Sequence, residues 1–391
     1  MTRTRMDTAR AHDVMIYLPA VSMSIDPRSP IPGGGAENQM LMLAKGLSAL
    51  GARVCLAAFD NSGELPPSIA GVDLVRRAPY HAKRGLLGEL HEVVAIYKCI
   101  DEGDADIVIA RCAVPSVAVV AWAAKLQKRQ LIYSSANIFD FDIARVEPSR
   151  RTRLLVRHGI RAADQIVVQT EEQRALCEQQ YGRIPTLIRS IAQPVPPRDG
   201  RPDAFLWAGR VCSYKRPLAF VELARALPEA RFRMVCVPEP LEESRKLLDE
   251  VHRSADGVPN LELLGPLPRL EMAAMISRSV AVVNTSDVEG LSNVMLEGWA
   301  RGVPGIALSY DPDGLLERRG LGWFAGGSRT RLASTVRTVW ERRFEVDDLN
   351  ERCRRHVREH HDWNKLHAQW FELLGLGRAS EQSQPTLVGA T

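Results

Sequence analysis

Short apolar runs alternate with amphipathic stretches along almost the whole chain, and this alternation constrains the fold more than any other feature. The runs Val14–Leu18, Arg53–Phe59, Val72–Val75, Ile107–Ala110, Leu131–Ser134 and Gln165–Gln169 read as strands. So do Phe205–Ala208, Phe232–Val237, Leu261–Leu264, Val280–Asn284 and Ile306–Leu308. Between the runs, apolar residues recur at helical spacing, as in Met40, Leu43, Ala44, Leu47 and Leu50, with Gly51 as a stop signal. Buried strands separated by helices imply parallel sheets covered on both faces. The pattern breaks at Pro194–Pro202, where four prolines, a glycine and charged residues cannot hold a helix or a central strand. A chain of 391 residues has the length of two domains. We therefore expect an α/β protein of two doubly wound, Rossmann-like domains, 1–195 and 196–355. A helix over about 356–376 is expected to pack back on the first domain, and 377–391 to form a flexible tail.

Composition narrows the class. Hydrophobic residues at 45% and charged residues at 25% are globular proportions, which exclude a disordered or fibrous chain. The formal charge of +4 is too mild to imply a nucleic-acid partner. Seven cysteines, an odd number with no CxxC pair, read as reduced thiols. No run of 18 apolar residues appears, and the first residues lack the apolar stretch of a signal peptide. The expectation is a cytoplasmic protein that can still touch a membrane from outside.

Two segments carry chemistry. The first runs from Asn284 to Pro304 and holds Glu289, Gly290, Leu291, Ser292, Asn293 and Glu297. It follows a strand and opens a helix with Ser292 at the N-cap. Unpaired N–H groups and the helix dipole make such a start a site for phosphate, and Gly290 lets the backbone approach a ligand. Two carboxylates there can accept hydrogen bonds from sugar and ribose hydroxyls; the alternative reading is a surface helix with two solvated glutamates. The second segment is Gly209-Arg210-Val-Cys-Ser-Tyr-Lys215 at the end of a strand, where ligands of doubly wound sheets bind. A bidentate Arg and a point-charge Lys suit a diphosphate.

Glu289-x7-Glu297, combined with Gly209-Arg210-x4-Lys215, resembles the donor-site signature of retaining family-4 glycosyltransferases of the GT-B fold (glycosyl transferases group 1). The loop Gly33-Gly34-Gly35-Ala36-Glu37, the segment Val167–Gln173 and the late Asp362-Trp363 are similar to that family too. The resemblance spans residues 14 to about 374. It implies two Rossmann-like domains facing a central cleft, with Arg210 and Lys215 on the donor diphosphate and Glu297 on the ribose. It further implies that Glu289 contacts the donor sugar, that Gly290–Asn293 seat sugar and phosphate, and that Gly34–Gly35 close over the cleft. The co-substrate would be a nucleotide-diphosphate sugar, with no further cofactor and no metal. Cations and amides fixed on the leaving phosphate would stabilise the charge separation. The family pattern also carries a His near the donor sugar. Here the chain reads Tyr133-Ser134-Ser135-Ala136-Asn137, so Ser135 or Asn137 stands in that region, and Arg189–Gln193 replaces the usual Pro-Asn-Gly-like segment.

Other patterns are weaker. Asp140-Phe-Asp142 has the DxD form of metal–nucleotide sites, and His356-Val-Arg-Glu359-His360 fits a zinc pattern. Both read better as chance and as a solvated helix. Arg150, Arg153, Arg157 and Arg161 recur every three to four residues beside Leu154, Leu155 and Ile160, a stripe suited to anionic lipid headgroups or simply to water. The reading is a retaining, metal-independent glycosyltransferase that moves a sugar to a hydroxyl of a glycan, a lipid-linked saccharide or a small metabolite. Polysaccharide biosynthesis at the inner face of a membrane would suit it. The rivals are a nucleotide-sugar 2-epimerase or hydrolase of the same fold, and a non-catalytic nucleotide-sugar binding protein.

Overall fold

The computed structural model describes residues 10–26, 33–60, 63–77, 85–239, 241–345 and 348–377. Every expected strand forms. The first sheet contains β1 (His12–Tyr17), β2 (Val54–Phe59), β3 (Ser68–Ile69), β4 (Val72–Arg77), β5 (Ala105–Arg111), β6 (Gln130–Ser134), β7 (Gln165–Val168) and β8 (Thr186–Leu187). Their order is β3-β4-β2-β1-β5-β6-β7-β8, parallel except for the β3–β4 pair. The second sheet contains β9 (Ala204–Arg210), β10 (Phe232–Val237), β11 (Leu261–Leu264), β12 (Ser279–Asn284), β13 (Gly305–Ala307) and β14 (Gly322–Phe324). It is parallel in the order β11-β10-β9-β12-β13-β14. Strands β3, β8 and β14 carry too few apolar residues to stand out in the sequence. Each is an edge strand of two or three residues.

Both faces of each sheet are buried. In the first domain one face packs on the helix Gly35–Ala49 through Met40, Leu43 and Leu47, and the other holds Met15, Val108 and Tyr133. In the second, Phe205, Phe220 and Phe232 fill one face, while Met295, Leu296 and Trp299 fill the other. The chain order reverses around β1, flanked by β2 and β5, and around β9, flanked by β10 and β12. The crevices of doubly wound sheets open at such points, outside the carboxyl ends of the strands.

The long helix expected over 356–376 is instead two helices. Leu349–His360 places Cys353 and Val357 in the second domain's core, and Trp363–Leu373 places Leu366 and Trp370 in the first domain's. His361 leaves the helical region at φ −128°, and the Asp362 carboxylate accepts the Lys365 N–H to start the next helix. The crossing therefore lies at His361–Asp362, later than periodicity placed it. The expected tail lies outside the described residues from 378 onward.

Candidate active site between the two domains

Arg210 is the last residue of β9, carried there because β9 runs on past Ala208 and pairs Gly209 and Arg210 with Cys236 and Val237 of β10. Its Nη1 donates to Glu239 Oε1 at 3.1 Å. Burial works against its charge, but Tyr214, Glu239 and Glu37 outweigh that and hold its pKa above the ordinary guanidinium value. Lys215 closes the short turn Ser213–Lys215 and pairs with Glu289. Two bonds zip this turn to the loop after β12: Thr285 Oγ1 donates to the Lys215 carbonyl at 2.7 Å, and the Asp287 N–H donates to the Tyr214 carbonyl at 2.9 Å. The buried Trp207 supports the junction by donating its Nε1 hydrogen to Thr285 Oγ1. The two segments singled out in the sequence thus meet at the β9–β12 switch point.

Ser292 caps the helix Asn293–Arg301, its side chain accepting the Met295 N–H, so the helix start faces the crevice with its amides. Glu289 is buried at 7% exposure, and Leu291 is buried too. Glu297 behaves differently. Water reaches its side chain, yet surrounding protein raises its pKa by desolvation, with Arg301 and Arg269 pulling in the opposite sense.

The first domain meets this wall with backbone. A Cβ on Gly35 would overlap Asn293 Nδ2, and one on Gly34 would lie 3.9 Å from Arg210 Nε. A Cβ on Gly290 would come within 2.7 Å of the Ala136 carbonyl oxygen. These contacts bring Gly34, Gly35, Arg210, Gly290 and Asn293 together. Ser135 and Asn137 do not reach across in the same way. Ser135 Oγ donates to Gln173 Oε1 at 2.9 Å, and Asn137 Oδ1 accepts the Phe139 N–H at the start of the turn Ile138–Asp140. The loop in the region of the absent His therefore approaches Gly290 through the carbonyl between them.

Several partners have no signature in the sequence. Gln169 donates to the Ser135 carbonyl and accepts from Ser190 Oγ, so the loop is bonded to the segment before the proline-rich break at Pro194–Pro202. Asp313, in the loop after β13, accepts the N–H groups of Glu171 and Glu172 at 3.0 and 3.2 Å and pairs with Arg189, and Tyr310 donates to Glu172. Their signal is spatial, since each bond joins residues far apart in the chain.

The weaker patterns resolve plainly. The Asp140 carboxylate accepts the Ala136 N–H at 2.6 Å, and Asp142 pairs with Arg145. His356 is buried edge-on against Trp299. Among the described residues no group of three or more His, Cys, Asp or Glu side chains is placed to hold a metal ion. Arg150, Arg157 and Arg161 lie exposed on the helix Arg150–Ala162, with Arg153 half-buried. No helix among the described residues is long and apolar enough to cross a membrane.

Comparison with known proteins places this geometry. The family "glycosyl transferase 4-like domain" matches residues 34–192, and the family "glycosyl transferases group 1" matches residues 202–342. The chain belongs to the group 1 glycosyltransferases. No curated protein matches its sequence significantly. Among solved structures it is similar to sucrose-phosphate synthase from Thermosynechococcus elongatus, at 15% identity and TM-score 0.74, with 93% of this chain and 98% of that one covered. Anabaena HepE in complex with UDP and glucose matches at 16% identity and TM-score 0.74, covering 93% and 99%. A mutant of S. aureus TarM in complex with fondaparinux, alpha-GlcNAc-glycerol and UDP matches at 14% identity and TM-score 0.59, covering 72% and 58%. The glycosyltransferase thus has the GT-B fold, two parallel-sheet α/β domains over 93% of the chain.

Proposed function

We propose that this glycosyltransferase moves a sugar from a nucleoside-diphosphate donor to an acceptor hydroxyl with retention of configuration and without a metal. The observation that carries this reading is the meeting of Arg210, Lys215 and the start of the helix Asn293–Arg301 at the β9–β12 switch point. Two cations and a set of helix amides at one crevice match the charge of a diphosphate. In the reaction the bond from the anomeric carbon to the diphosphate breaks, and the acceptor oxygen bonds to that carbon from the same face. The acceptor proton passes to the departing diphosphate. Arg210 and Lys215 would neutralise the leaving group as its charge grows. Glu289 would orient the donor sugar, Glu297 the ribose hydroxyls, and Gly34–Gly35 would cover the site from the acceptor domain.

UDP is the first nucleotide to test, because two of the structural neighbours were solved with it. The acceptor class is a glycan, a lipid-linked saccharide or a small metabolite. Residues 1–195 would form the acceptor domain and 196–355 the donor domain. A lipid-linked acceptor, as in polysaccharide biosynthesis, would be met at a membrane surface. The exposed Leu154 lies on the same helix as the basic stripe, and Arg151 pairs with Glu89 of the neighbouring helix, which exposes Leu87 and Leu90. Salt-sensitive sedimentation with anionic but not neutral vesicles is the expected result there.

The deciding experiment is a thermal-shift panel of UDP, GDP, ADP and their sugar conjugates in EDTA, on the wild type and Glu297→Ala. A ligand at a hundred times its dissociation constant stabilises the folded state by about 2.7 kcal/mol. A selective shift for one diphosphate, weakened in the variant, supports the reading; no shift with any of them sinks it. Release of free sugar or an epimer without acceptor would favour the hydrolase or epimerase instead.

A further inference from the structure

Gln39 lies in the first turns of the helix Gly35–Ala49 and is 4% exposed. Its carboxamide is fully used. Oε1 accepts the Ile191 N–H at 2.8 Å, while Nε2 donates to the Ile191 carbonyl at 2.9 Å and to Asn293 Oδ1 at 2.8 Å. Three parts of the molecule meet there: the helix behind the glycine loop, the segment leading to Pro194–Pro202, which would be the hinge between the domains, and the first residue of the donor helix.

The Ile191 backbone decides which way round the Gln39 amide sits. An N–H must face the amide oxygen, and a carbonyl must face the NH2 group. With one Nε2 hydrogen taken by Ile191, the other points at Asn293 and can meet only its oxygen. Asn293 is thereby forced to present Nδ2 on its other side, toward Gly35, where no Cβ would fit. That Nδ2 group has no acceptor among the described residues. An amide N–H held at the start of the helix Asn293–Arg301, beside a loop of glycines and open to solvent, is placed to donate to an oxygen of a bound ligand.

We propose that Gln39 is a positioning residue: it fixes the amide orientation of Asn293 and ties the donor helix to the hinge, so that Asn293 Nδ2 is presented to an oxygen of the bound sugar nucleotide. The inference rests on the donor site proposed above. It assigns Nδ2 to the sugar rather than to the diphosphate, which Arg210, Lys215 and the helix amides already serve. The affinity for UDP should then depend little on the pair, and the rate of sugar transfer should depend on both members together.

The test has a ligand-free arm and a kinetic arm, on Gln39→Leu, Asn293→Ala and the double variant. Without ligand, hydrogen exchange at the Ile191 amide should quicken in Gln39→Leu, because its N–H loses its acceptor; unchanged exchange there overturns the tie to the hinge. With UDP, each variant should keep its affinity within about threefold, while kcat for UDP-glucose consumption falls about tenfold, the loss of one well-placed hydrogen bond. The double variant should lose no more than the worse single one, since both act through one contact. Losses that multiply, or an Asn293→Ala enzyme with normal kcat, overturn the proposal. Failure of the wild type to bind any nucleoside diphosphate would instead defeat the proposed function, and the exchange arm would judge the tie to the hinge on its own.

Discussion

The two walls of the cleft are made of different materials. The donor-side wall carries Arg210, Lys215, Glu289 and Glu297 on a strand end, a turn and a helix start, with Glu239 paired to Arg210. The facing wall offers Gly34, Gly35, the Ala136 carbonyl and the amides of Gln39, bonded to Ile191, and Gln173, bonded to Ser135. Charge marks one side, and close approach shapes the other. A charged wall tolerates small displacements, because Coulomb energy falls gradually with distance. A wall of backbone in contact does not, because repulsion rises over tenths of an ångström.

The largest effect should therefore come from a residue with no charge. In Gly290→Ala the new Cβ must displace the Ala136 carbonyl, a backbone atom tied into the loop around Asn137 and Asp140. The walls would be held apart by a fraction of an ångström. Misplacement on that scale lowers kcat about a hundredfold, with UDP affinity little changed, since the phosphate contacts lie on one wall. Steady-state kinetics beside calorimetric titration of UDP would check this. A variant with normal kcat would show that the approach at Gly290 is dispensable and break the contrast between the walls.

Charge removal should act the other way round. Arg210→Met and Lys215→Met each delete one charge-assisted contact, and each should weaken UDP by about tenfold or somewhat more. They part company in stability. Glu239 is partly open to water and tolerates the loss of Arg210, whereas the buried Glu289 would be left without its cation. Breaking a fully buried pair costs about 3–5 kcal/mol, and this part-buried one a fraction of that, so Lys215→Met should lower the denaturation midpoint more than Arg210→Met does. Adding Glu289→Gln should restore most of that loss without restoring UDP affinity. Recovery of both would mean that the pair is structural and that Lys215 is no donor ligand.

The same contrast explains what could be read in advance. The charged wall was legible because its residues are chemically distinctive and close in sequence: Gly209 and Arg210 end a strand and Lys215 closes the turn after it, and Glu289 to Glu297 span a loop and a helix start. Strand periodicity placed both groups at carboxyl ends, and the sheet order then brought them together. The other wall resisted reading. Gln39 is a polar residue on a mostly apolar helix, and its partners Ile191 and Asn293 lie 152 and 254 residues away. Asp313 looks like an ordinary turn residue until it is found capping Glu171 and Glu172. Spacing also blurred the return crossing, because a two-residue interruption at His361–Asp362 leaves helical periodicity nearly intact on either side.

The smallest effect at neutral pH lies at that crossing, where neither wall is involved. His361 is buried and donates Nδ1–H to the Ser190 carbonyl at 2.7 Å, with His356 and His360 beside it. Burial, opposed by that bond and aided by His356, Arg189 and His360, pushes its pKa down to about 3. Burial, then His360, Arg189 and Arg319, push His356 down to about 4. A histidine titrating at 6.5 when unfolded and near 4 or below when folded takes up its proton first in the unfolded chain. Stability is therefore indifferent to these groups above pH 6.5 and falls as the pH drops from 6.5 toward 4, by about 1.4 kcal/mol per pH unit for each histidine. Glu297, Asp140 and Asp311 have raised values and act in the opposite sense, so the measurement must be a difference between proteins. Urea midpoints at pH 7 and pH 5 should lie closer together in His356→Leu than in the wild type. UDP affinity at pH 7 should be the same in both, because the histidines are neutral there and sit away from the diphosphate site. An equal acid slope would mean that His356 is protonated in the folded protein without cost, and that acid sensitivity resides in the charged wall after all.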